Sequence, residues 1–519
     1  MIKALKAYPD KEAIRCRQAV FTYRQFAERV FRLAHFFLDQ GLGQASQAAI
    51  LHYNGHVFLE AYFAAALAGV RLVPLNCRLS SKEIQFILED SESELVIAHP
   101  DFSPKLLPSG GQAPAVARIL WTPETASNAP PGLEYESALA ASSSTPLLPL
   151  GPGGEAVAQI YYTSGTTGRP KGVMLTHKNC YLHALGTIAE LHLQDSDVWI
   201  HVAPLFHLAD AWATWAVTWV GGTHVLIRDF DPKWVLETMV RERVTLSNMI
   251  PTMLNMLINH PDFSSYAFPD LRVLLSGGAP IAPEVVRKIM QGFGCDYIQT
   301  YGMTETSPYL TLSLLKDSLK QLPPEKQFEF KAKTGREFIG VSLKVVRENG
   351  EEVRPDDQEV GEIIVKGDTV TPGYWKLPME TQKAFREGWL YTGDLAVIDT
   401  QGYITIVDRK KDMILTGGEN VYSTEVENVL YQHPNILEAA VFGIPDEKWG
   451  EAVQAAVVLK EGAETSAEEI IHFCKDNLAH YKAPKAVTFL GQLPRTGSGK
   501  IFKKGLRDPF WPDQGKKVH

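Results

Sequence analysis

The sequence predicts an α/β protein with a large N-terminal domain, built on doubly wound parallel-type sheets and a β-rich subdomain, and a small α+β C-terminal domain. The length of 519 residues suits two to four structural units at roughly 150 residues each. Up to residue 299, short apolar segments alternate with helical patterns, which is typical of parallel sheets covered by helices on both faces. Beyond residue 335, short β segments separated by turns replace this alternation and indicate a different architecture.

Apolar segments in the first hundred or so residues predict the first parallel strands. We expect strands at Ala48–Leu51, Val70–Pro74 and Leu95–Ala98, with a helix at Phe58–Ala68 between the first two. Residues 122–154 are rich in Ser, Pro, Ala and Gly, which predicts a connecting segment.

A second run of strands and helices follows this connection. Strands are predicted at Val198–Val202, Thr223–Ile227, Thr245–Met249, Arg272–Leu275 and Tyr297–Gln299, and helices at Pro232–Arg243 and Ala282–Gly292. Ligands of parallel sheets bind at the carboxyl ends of the strands. The residues that follow these ends, Pro204–His207, Pro251, Gly277–Pro280 and Tyr301–Glu305, are therefore the first candidates for a site.

The last part of the chain contains β segments and then a separate α+β pattern. The β segments are expected at Gly340–Arg347, Glu362–Gly367 and Tyr403–Asp408, and the later elements at Thr424–Tyr431, Glu438–Phe442, Val453–Leu459 and Ala467–Asn477. The charged residues from Asp408 to Asp412 separate the two patterns. We therefore predict domains at residues 1–409 and 410–519.

The composition excludes several classes of protein. With 45% hydrophobic and 21% charged residues, the chain is neither disordered nor fibrous. The net charge of −9 gives no basic field, so no nucleic-acid partner is expected. The five cysteines have no metal-ligand spacing and are expected to be reduced. No apolar leader and no uninterrupted span of about 20 apolar residues is present, so we expect a cytoplasmic protein without stable membrane insertion.

The strongest chemical signal is the segment from Tyr161 to Gly172, which begins in an apolar strand pattern. Its glycines can turn backbone N–H groups toward an anion, and Lys171 adds a cation suited to a polyphosphate. Pro170 and Gly172 flank this lysine, so the segment is not a Walker loop. The predicted phosphate-binding residues are Thr163, Ser164, Gly165, Thr166, Thr167, Gly168 and Lys171.

This segment resembles the phosphate-binding signature of the adenylate-forming superfamily, which comprises acyl- and aryl-CoA synthetases, adenylation domains of peptide synthetases and beetle luciferases. Further motifs match in the family's order between about residues 160 and 500. They are Pro204–His207, Gly277–Pro280, Gln299–Glu305, Gly361-Glu362, Gly373–Trp375, Tyr391–Asp394, Asp408-Arg409, Gly417–Asn420 and Pro494–Lys500. So many matches in one order make the resemblance specific.

The resemblance implies a nucleotide site. Tyr301 has a flat ring suited to stacking on adenine, and the Gln299 amide flanks the same base. Asp394, in a Thr-Gly-Asp turn, can accept hydrogen bonds from both ribose hydroxyls. Arg409 resembles the arginine that assists at the ribose. The other residues implied at ATP are Gly277, Gly278, Ala279, Thr300, Gly302 and Thr304.

Four residues are predicted to be catalytic. Glu305 offers a hard carboxylate for Mg²⁺, and the Thr304 hydroxyl would contact the α-phosphate. Lys500 lies in a loop too glycine-rich to hold its shape alone, so its cation can be delivered to a site and withdrawn. By the resemblance, His207 lies at the wall between an acyl pocket and a thiol tunnel.

The resemblance also implies a mobile C-terminal domain. Lys411 has the position of the family's hinge residue, about which this domain would swing between two half-reactions. The swing would remove Lys500 and bring Gly417 and Gly418 to line a pantetheine tunnel.

The implied function is an ATP-dependent carboxylate–CoA ligase that forms an acyl-CoA through an acyl-adenylate, with ATP, Mg²⁺ and coenzyme A. The acid is a small molecule, and an oligomer is compatible with the sequence. Asp210 is a candidate partner for a substrate ammonium, but its apolar neighbours favour a fatty or aryl carboxylic acid.

Three alternatives stay open at this point. A stand-alone adenylation enzyme that loads a separate carrier protein would share every motif. A luciferase-like oxygenase would emit light with a suitable acid. A catalytically silent ATP-binding protein would release no pyrophosphate in response to a carboxylate.

Overall fold

The computed structural model describes residues 1–17, 19–107, 116, 118–123, 132–148, 154–163, 170–495 and 501–511. The chain divides into two compact units, Met1–Leu343 with Val365–Leu390 and Lys344–Ile364 with Tyr391–His519. The sequence-based boundary between residues 409 and 410 stays a prediction. Among the described helices, none combines the length and the apolar character that a membrane span needs.

The elements up to residue 141 are as follows. They are α1 (Ile2–Ala7), β1 (Glu12–Cys16), β2 (Ala19–Thr22), α2 (Tyr23–Asp39), β3 (Gln47–Leu51), α3 (His56–Ala68), β4 (Arg71–Pro74), α4 (Ser81–Asp90), β5 (Leu95–Ala98), α5 (Ser103–Leu106), β6 (Arg118–Trp121), β7 (Leu133–Glu134) and α6 (Tyr135–Ala141).

The elements between residues 157 and 337 complete the main part of the first unit. They are β8 (Val157–Thr163), β9 (Lys171–Thr176), α7 (His177–Leu191), β10 (Val198–His201), α8 (Leu208–Ala211), α9 (Ala213–Val220), β11 (Thr223–Leu226), α10 (Pro232–Arg241), β12 (Leu246–Asn248), α11 (Pro251–Ile258), β13 (Val273–Gly277), α12 (Pro283–Phe293), β14 (Asp296–Gly302), β15 (Tyr309–Leu312), α13 (Pro324–Ala332) and β16 (Arg336–Glu337).

The remaining elements are more β-rich. They are β17 (Val341–Val346), β18 (Gly361–Gly367), α14 (Pro378–Ala384), β19 (Phe385–Arg386), β20 (Trp389–Ile398), β21 (Ile404–Arg409), β22 (Ile414–Thr416), β23 (Glu419–Val421), α15 (Ser423–Leu430), β24 (Ile436–Asp446), β25 (Gly450–Leu459), α16 (Ala467–Asn477), β26 (Ala486–Phe489) and α17 (Lys503–Arg507).

The first sheet has seven strands in the order β7-β6-β5-β3-β4-β8-β9. Strands β3, β4 and β5 confirm the three predicted strands, and they pair in parallel. They were predictable because strands buried on both faces read as continuous apolar runs. The outer strand β9 differs, since it pairs antiparallel with β8.

The second sheet has nine strands in the order β16-β15-β14-β13-β12-β10-β11-β1-β2. The pairs from β14 to β11 are parallel, as the alternation of strands and helices predicts. Antiparallel strands extend both edges, which the sequence did not indicate. A core of buried side chains from strands and helices covers this sheet, including Leu236, Leu254, Leu274 and Ile289.

Two smaller sheets follow. One has the order β17-β18-β20-β19, with β21 paired to β20. In the second unit, β23-β22-β25-β24 form a sheet in which β26 pairs with β25. Helices α15 and α16 contribute Val426, Leu430 and Ile470 to the buried core of that sheet. The predicted α/β class, with its β-rich part, is confirmed.

Candidate active site

The hairpin β8–β9 holds the two ends of the predicted phosphate loop. Thr163 pairs with Lys171 across the hairpin, so the loop begins and ends at adjacent positions. The hydroxyl of Tyr162 donates to Asp90, and the backbone N–H of Trp375 donates to the Gly172 carbonyl. Ser164, Gly165, Thr166, Thr167 and Gly168 lie outside the described residues, as does Lys500.

Lys171 forms an ion pair that the sequence did not predict. Its Nζ lies 2.5 Å from the Glu380 carboxylate and 5.4 Å from the centre of the Tyr374 ring. Hydrogen bonds from Lys171 and Lys383 lower the pKa of Glu380 to about 2. Glu380 is therefore charged at neutral pH and holds the lysine in place.

Glu305, the predicted metal ligand, is buried in a short 3-10 turn. Its Oε1 accepts a hydrogen bond from the Tyr374 hydroxyl at 2.9 Å, and its carbonyl accepts from the Thr371 N–H. Burial, followed by the nearby Glu305 carboxylate, raises the pKa of Tyr374. The phenol therefore stays protonated and donates.

This carboxylate suits a magnesium ion. Among the described residues, no group of three or more His, Cys, Asp and Glu could hold a metal ion. Mg²⁺ commonly binds through one or two carboxylates together with substrate phosphates. A single oriented carboxylate such as Glu305 therefore fits that ion.

The carboxyl ends of β13 and β14 bring together the residues predicted around adenine. The Gln299 amide donates to the Ala279 carbonyl at 2.8 Å, and Gly277 pairs with Thr300. The half-buried Tyr301 lies one residue before the end of its strand. The edge thus presents an aromatic ring beside oriented polar groups.

Gly302 is required by a close approach of two backbone segments. A Cβ at this position would lie 1.8 Å from the Pro308 carbonyl oxygen. The adjacent Met303 N–H donates to the same oxygen at 3.1 Å. This contact fixes the turn that carries Thr304 and Glu305.

His207 and Asp210 lie on the segment after β10. The half-buried His207 caps α8, because its Nδ1 accepts from the Ala209 N–H at 3.1 Å. Asp210 is fully buried, and accepts from Trp199 Nε1 at 3.0 Å. His201 Nδ1 lies 2.9 Å from the other Asp210 oxygen.

The His201 ring extends this network to His224. The facing ring nitrogens lie 2.9 Å apart, and the far nitrogen of His224 bonds Thr218 at 2.8 Å. Burial lowers the pKa of His224 well below its ordinary value. The network holds Asp210 inside the protein.

In the second unit, Asp394 and Arg409 face each other across β20 and β21. Arg409 Nε lies 3.1 Å from the buried Asp394 carboxylate. The Asp394 N–H donates to the Thr392 hydroxyl at 3.1 Å, which fixes the predicted turn. The structure thus joins the two residues predicted at the ribose.

The predicted tunnel glycines lie between β22 and β23. Gly417 has a φ of +62°, and its N–H donates to the Trp449 carbonyl at 2.8 Å. Gly418 has a φ of +85°, and a Cβ there would meet no described atom within 4 Å. Lys411, the predicted hinge, is exposed.

Sequence reasoning missed two residues of this site. Tyr374 lies in the Gly373–Trp375 motif, which was a signal without an assigned role. Glu380 lies in α14 and reaches Lys171 from 209 positions along the chain. Such a distant pair leaves no local pattern in a single sequence.

Comparison with family models gives two matches. The model described as AMP-binding enzyme matches residues 2–375, and the model described as AMP-binding enzyme C-terminal domain matches residues 425–500. Together they cover most of the chain, including the hairpin, the adenine edge and Glu305.

Curated relatives and solved structures match over nearly the full length. A 4-hydroxybutyrate–CoA ligase of Metallosphaera sedula is 36% identical over 98% of this chain and 93% of its own length. A feruloyl-CoA synthase of an Amycolatopsis species is 36% identical over 98% of both. The ATP-bound crystal structure of MatB from Rhodopseudomonas palustris superposes with a TM-score of 0.86, at 30% identity over 96% of both chains.

Proposed function

The chain belongs to the AMP-binding enzyme family, and from that premise we propose that it activates an apolar fatty or aryl carboxylic acid. It is an AMP-forming acid–CoA ligase that uses ATP, Mg²⁺ and coenzyme A. The two curated relatives compared above are named for 4-hydroxybutyrate and ferulate, which differ widely in size. The identity of the acid therefore has to come from this chain's own residues.

The reaction has two steps. A carboxylate oxygen of the acid attacks the α-phosphorus of ATP, and pyrophosphate leaves, so that an acyl-adenylate forms. The CoA sulfur then attacks the acyl carbonyl, and AMP leaves. Positive charges and hydrogen-bond donors arranged beforehand around the phosphate oxygens lower the barrier of the first step.

We assign roles to the residues in the first unit as follows. Lys171 and the predicted phosphate loop would bind the phosphates, Tyr301 would stack on adenine, and Glu305, oriented by Tyr374, would hold Mg²⁺. When bound, this ion neutralises charge on phosphate oxygens. Thr304 would donate to the α-phosphate.

The residues in the second unit complete the proposal. Asp394, beside Arg409, would accept the ribose hydroxyls, and Lys500 would stabilise charge during adenylation. Gly417 and Gly418 would then line the path of the CoA thiol. Lys411 would be the hinge between the two working arrangements.

One observation carries the choice of an apolar acid. Asp210 is the carboxylate that could anchor a substrate ammonium, but both of its oxygens already have partners, Trp199 and His201. A fully buried carboxylate held by two donors would lose this stabilisation by turning to a ligand. The site therefore favours acids without an amino group.

A carboxylic-acid panel tests the proposal. Purified protein is incubated with ATP, Mg²⁺ and each of a set of aliphatic, aryl and amino acids, and pyrophosphate release is followed with and without CoA. We expect turnover with aliphatic or aryl acids and none above background with amino acids. Preferential turnover of an amino acid, abolished by Asp210→Asn, would overturn the assignment.

The same assay separates a CoA ligase from an enzyme that loads a carrier protein. A CoA thioester should form in the absence of any added protein, and chromatography with mass detection identifies it. Pyrophosphate release with a suitable acid but without a CoA thioester would instead indicate carrier loading.

A further inference from the structure

The side chain of Asn248 is incompletely satisfied at the carboxyl edge of the nine-stranded sheet. Asn248 is the last residue of β12 and is 5% exposed. Its Nδ2 donates to the Ala209 carbonyl at 2.5 Å. Its Oδ1 is buried, and no donor among the described residues reaches it.

The orientation of this amide is fixed by its neighbours. The Ala209 oxygen accepts from both Asn248 Nδ2 and Trp212 Nε1. Rotating the amide would set its oxygen against this carbonyl oxygen, which is repulsive. The Asn248 oxygen is therefore the atom left without a donor.

Asn248 lies between two segments of the candidate site. Strand β12 lies between β10, which leads to His207, and β13, which ends at Gly277. Gly277 in turn pairs with Thr300, beside Tyr301. Asn248 is thus the last residue of the strand between the His207 segment and the Gly277 segment. It lies at the carboxyl edge of the sheet, where ligands of parallel sheets bind.

A second buried asparagine shows what complete satisfaction looks like. Asn54 donates from its Nδ2 to the Ala203 carbonyl at 2.9 Å, and its Oδ1 accepts from the Leu205 N–H at 2.8 Å. Both ends of that amide are therefore hydrogen-bonded to backbone groups. The buried Gln159 also has an amide oxygen that no described donor reaches. Gln159 lies inside strand β8, however, whereas Asn248 ends β12 at the carboxyl edge of its sheet.

We propose that Asn248 is a specificity-determining residue, whose carboxamide oxygen accepts a hydrogen bond from a hydroxyl group on the acyl part of the acid. This inference rests on the proposed function and narrows its substrate class to largely apolar acids that carry a hydroxyl. A hydroxyl group is a neutral donor and suits the neutral amide oxygen of Asn248. With the deoxy acid, this buried oxygen would stay without a hydrogen bond, so binding of that acid is disfavoured.

Matched pairs of acids test this inference. Short hydroxyalkanoates and hydroxyphenyl acids are each compared with the deoxy acid of the same skeleton, and kcat/KM for AMP formation is measured. In the unaltered protein, we expect at least one hydroxy acid to be preferred by about tenfold, the scale of one buried hydrogen bond.

Three variants give the assignment to Asn248 its controls. Asn248→Leu should abolish the preference by lowering kcat/KM for the hydroxy acid alone. Asn248→Gln, which keeps both the amide donor and the amide oxygen, should retain a preference. Asn54→Leu is the matched change at an amide whose two ends are both hydrogen-bonded. It should lower kcat/KM for the hydroxy acid and the deoxy acid by the same factor.

The outcomes are distinguishable. The inference would be overturned if the unaltered protein used the hydroxy acid and the deoxy acid of every pair equally, or if a preference persisted in Asn248→Leu. The Asn248 oxygen would then be assigned to a hydrogen bond with a buried water. Absence of AMP formation with every acid would instead overturn the proposed function on which it rests. If Asn248→Leu fails to fold, Asn248→Ala takes its place as the variant without an acceptor, and equal use of every pair by the unaltered protein still overturns the inference.

Discussion

At the scale of single residues, the proposed phosphate and metal groups are already held by partners within the chain. Lys171 pairs with Glu380, and Glu305 accepts from Tyr374. The Tyr374 ring also lies beneath the Lys171 ammonium, so one tyrosine links both charged groups. Such contacts restrict rotamers before a ligand arrives, but the carboxylate of Glu380 also competes with phosphate for the lysine.

The competition gives the first prediction. Glu380→Gln should lower the apparent KM for ATP, by up to about fivefold, because partly exposed ion pairs contribute little to the free energy. Steady-state pyrophosphate release at varied ATP measures it. Lys383→Gln removes the other partner of Glu380 and should leave this KM unchanged. A higher KM in Glu380→Gln would show that the pair positions Lys171 instead of competing for it.

Asp394 gives a second prediction at this scale. Its carboxylate is buried beside Arg409, and Asp394→Ala would leave the ribose hydroxyls without their proposed acceptor. Charge-assisted hydrogen bonds contribute about 1.5–3 kcal/mol, so the KM for ATP should rise clearly while the KM for the acid changes less. Initial rates with each substrate varied in turn measure the two constants. An unchanged KM for ATP would contradict the ribose assignment.

At the scale of elements, the strands that could be predicted from the sequence are those that are buried along their whole length. Strands β3 and β5 are buried along their whole length, and such strands read directly as apolar runs. The end of β14 was not predicted, because Tyr301 and Gly302 are strand residues through pairing with β15. That pairing is a tertiary contact, and strand formation depends strongly on such contacts.

The same distinction applies to the site. Thr163, Lys171, Tyr301 and Glu305 could be named as candidates from the sequence, because glycines, hydroxyls and charges cluster locally in its motifs. Partners from distant elements, such as Glu380 for Lys171, could not be predicted from local motifs. The fold class and the candidate chemical groups could therefore be predicted, whereas the contacts that orient those groups required the three-dimensional structure.

The turn between β22 and β23 gives a prediction at the scale of elements. Gly418 has a φ of +85° and open space around its missing Cβ, so a side chain there would strain the backbone and extend into the proposed thiol path. Gly418→Leu should spare adenylate formation and slow thioester formation. Pyrophosphate exchange and acyl-CoA yield measure the two steps separately.

Gly418→Ala is the matched control for this turn. It imposes a similar backbone strain, of the order of 1–2 kcal/mol, but adds only a methyl group. We expect it to retain most of the thioester rate. Equal loss of both half-reactions in Gly418→Leu would remove the basis for a tunnel at this glycine.

At the scale of the whole molecule, the proposed chemistry divides between two groups of residues. Lys171, Tyr301 and Glu305 belong to the first compact unit, and Asp394, Arg409 and Lys411 to the second. Both half-reactions need the acyl group and the nucleotide, but only the first develops charge between the carboxylate and the α-phosphate. A cation that serves this step alone has no role once the anhydride exists.

This reasoning gives the last prediction. Lys500→Ala should lower adenylation by about 10²–10³, the usual scale for loss of one preorganised charge-stabilising donor. The same variant, given acyl-adenylate and CoA, should form thioester at near the unaltered rate. Lys411→Pro restricts the backbone at the proposed hinge and should show the opposite pattern, with adenylate formed and thioester formation stalled. Rapid-quench assays of each half-reaction measure both.

Two controls isolate these effects. Lys504→Ala removes a nearby lysine without an assigned role and should leave both half-reactions intact, whereas Lys411→Ala removes the hinge side chain but keeps its backbone free to rotate. If Lys411→Ala behaved like Lys411→Pro, the side chain and not the backbone rotation would be responsible. If Lys500→Ala and Lys411→Pro each lost both half-reactions equally, no hinge would separate two working states, and a single arrangement of the chain would have to perform adenylation and thioester formation alike.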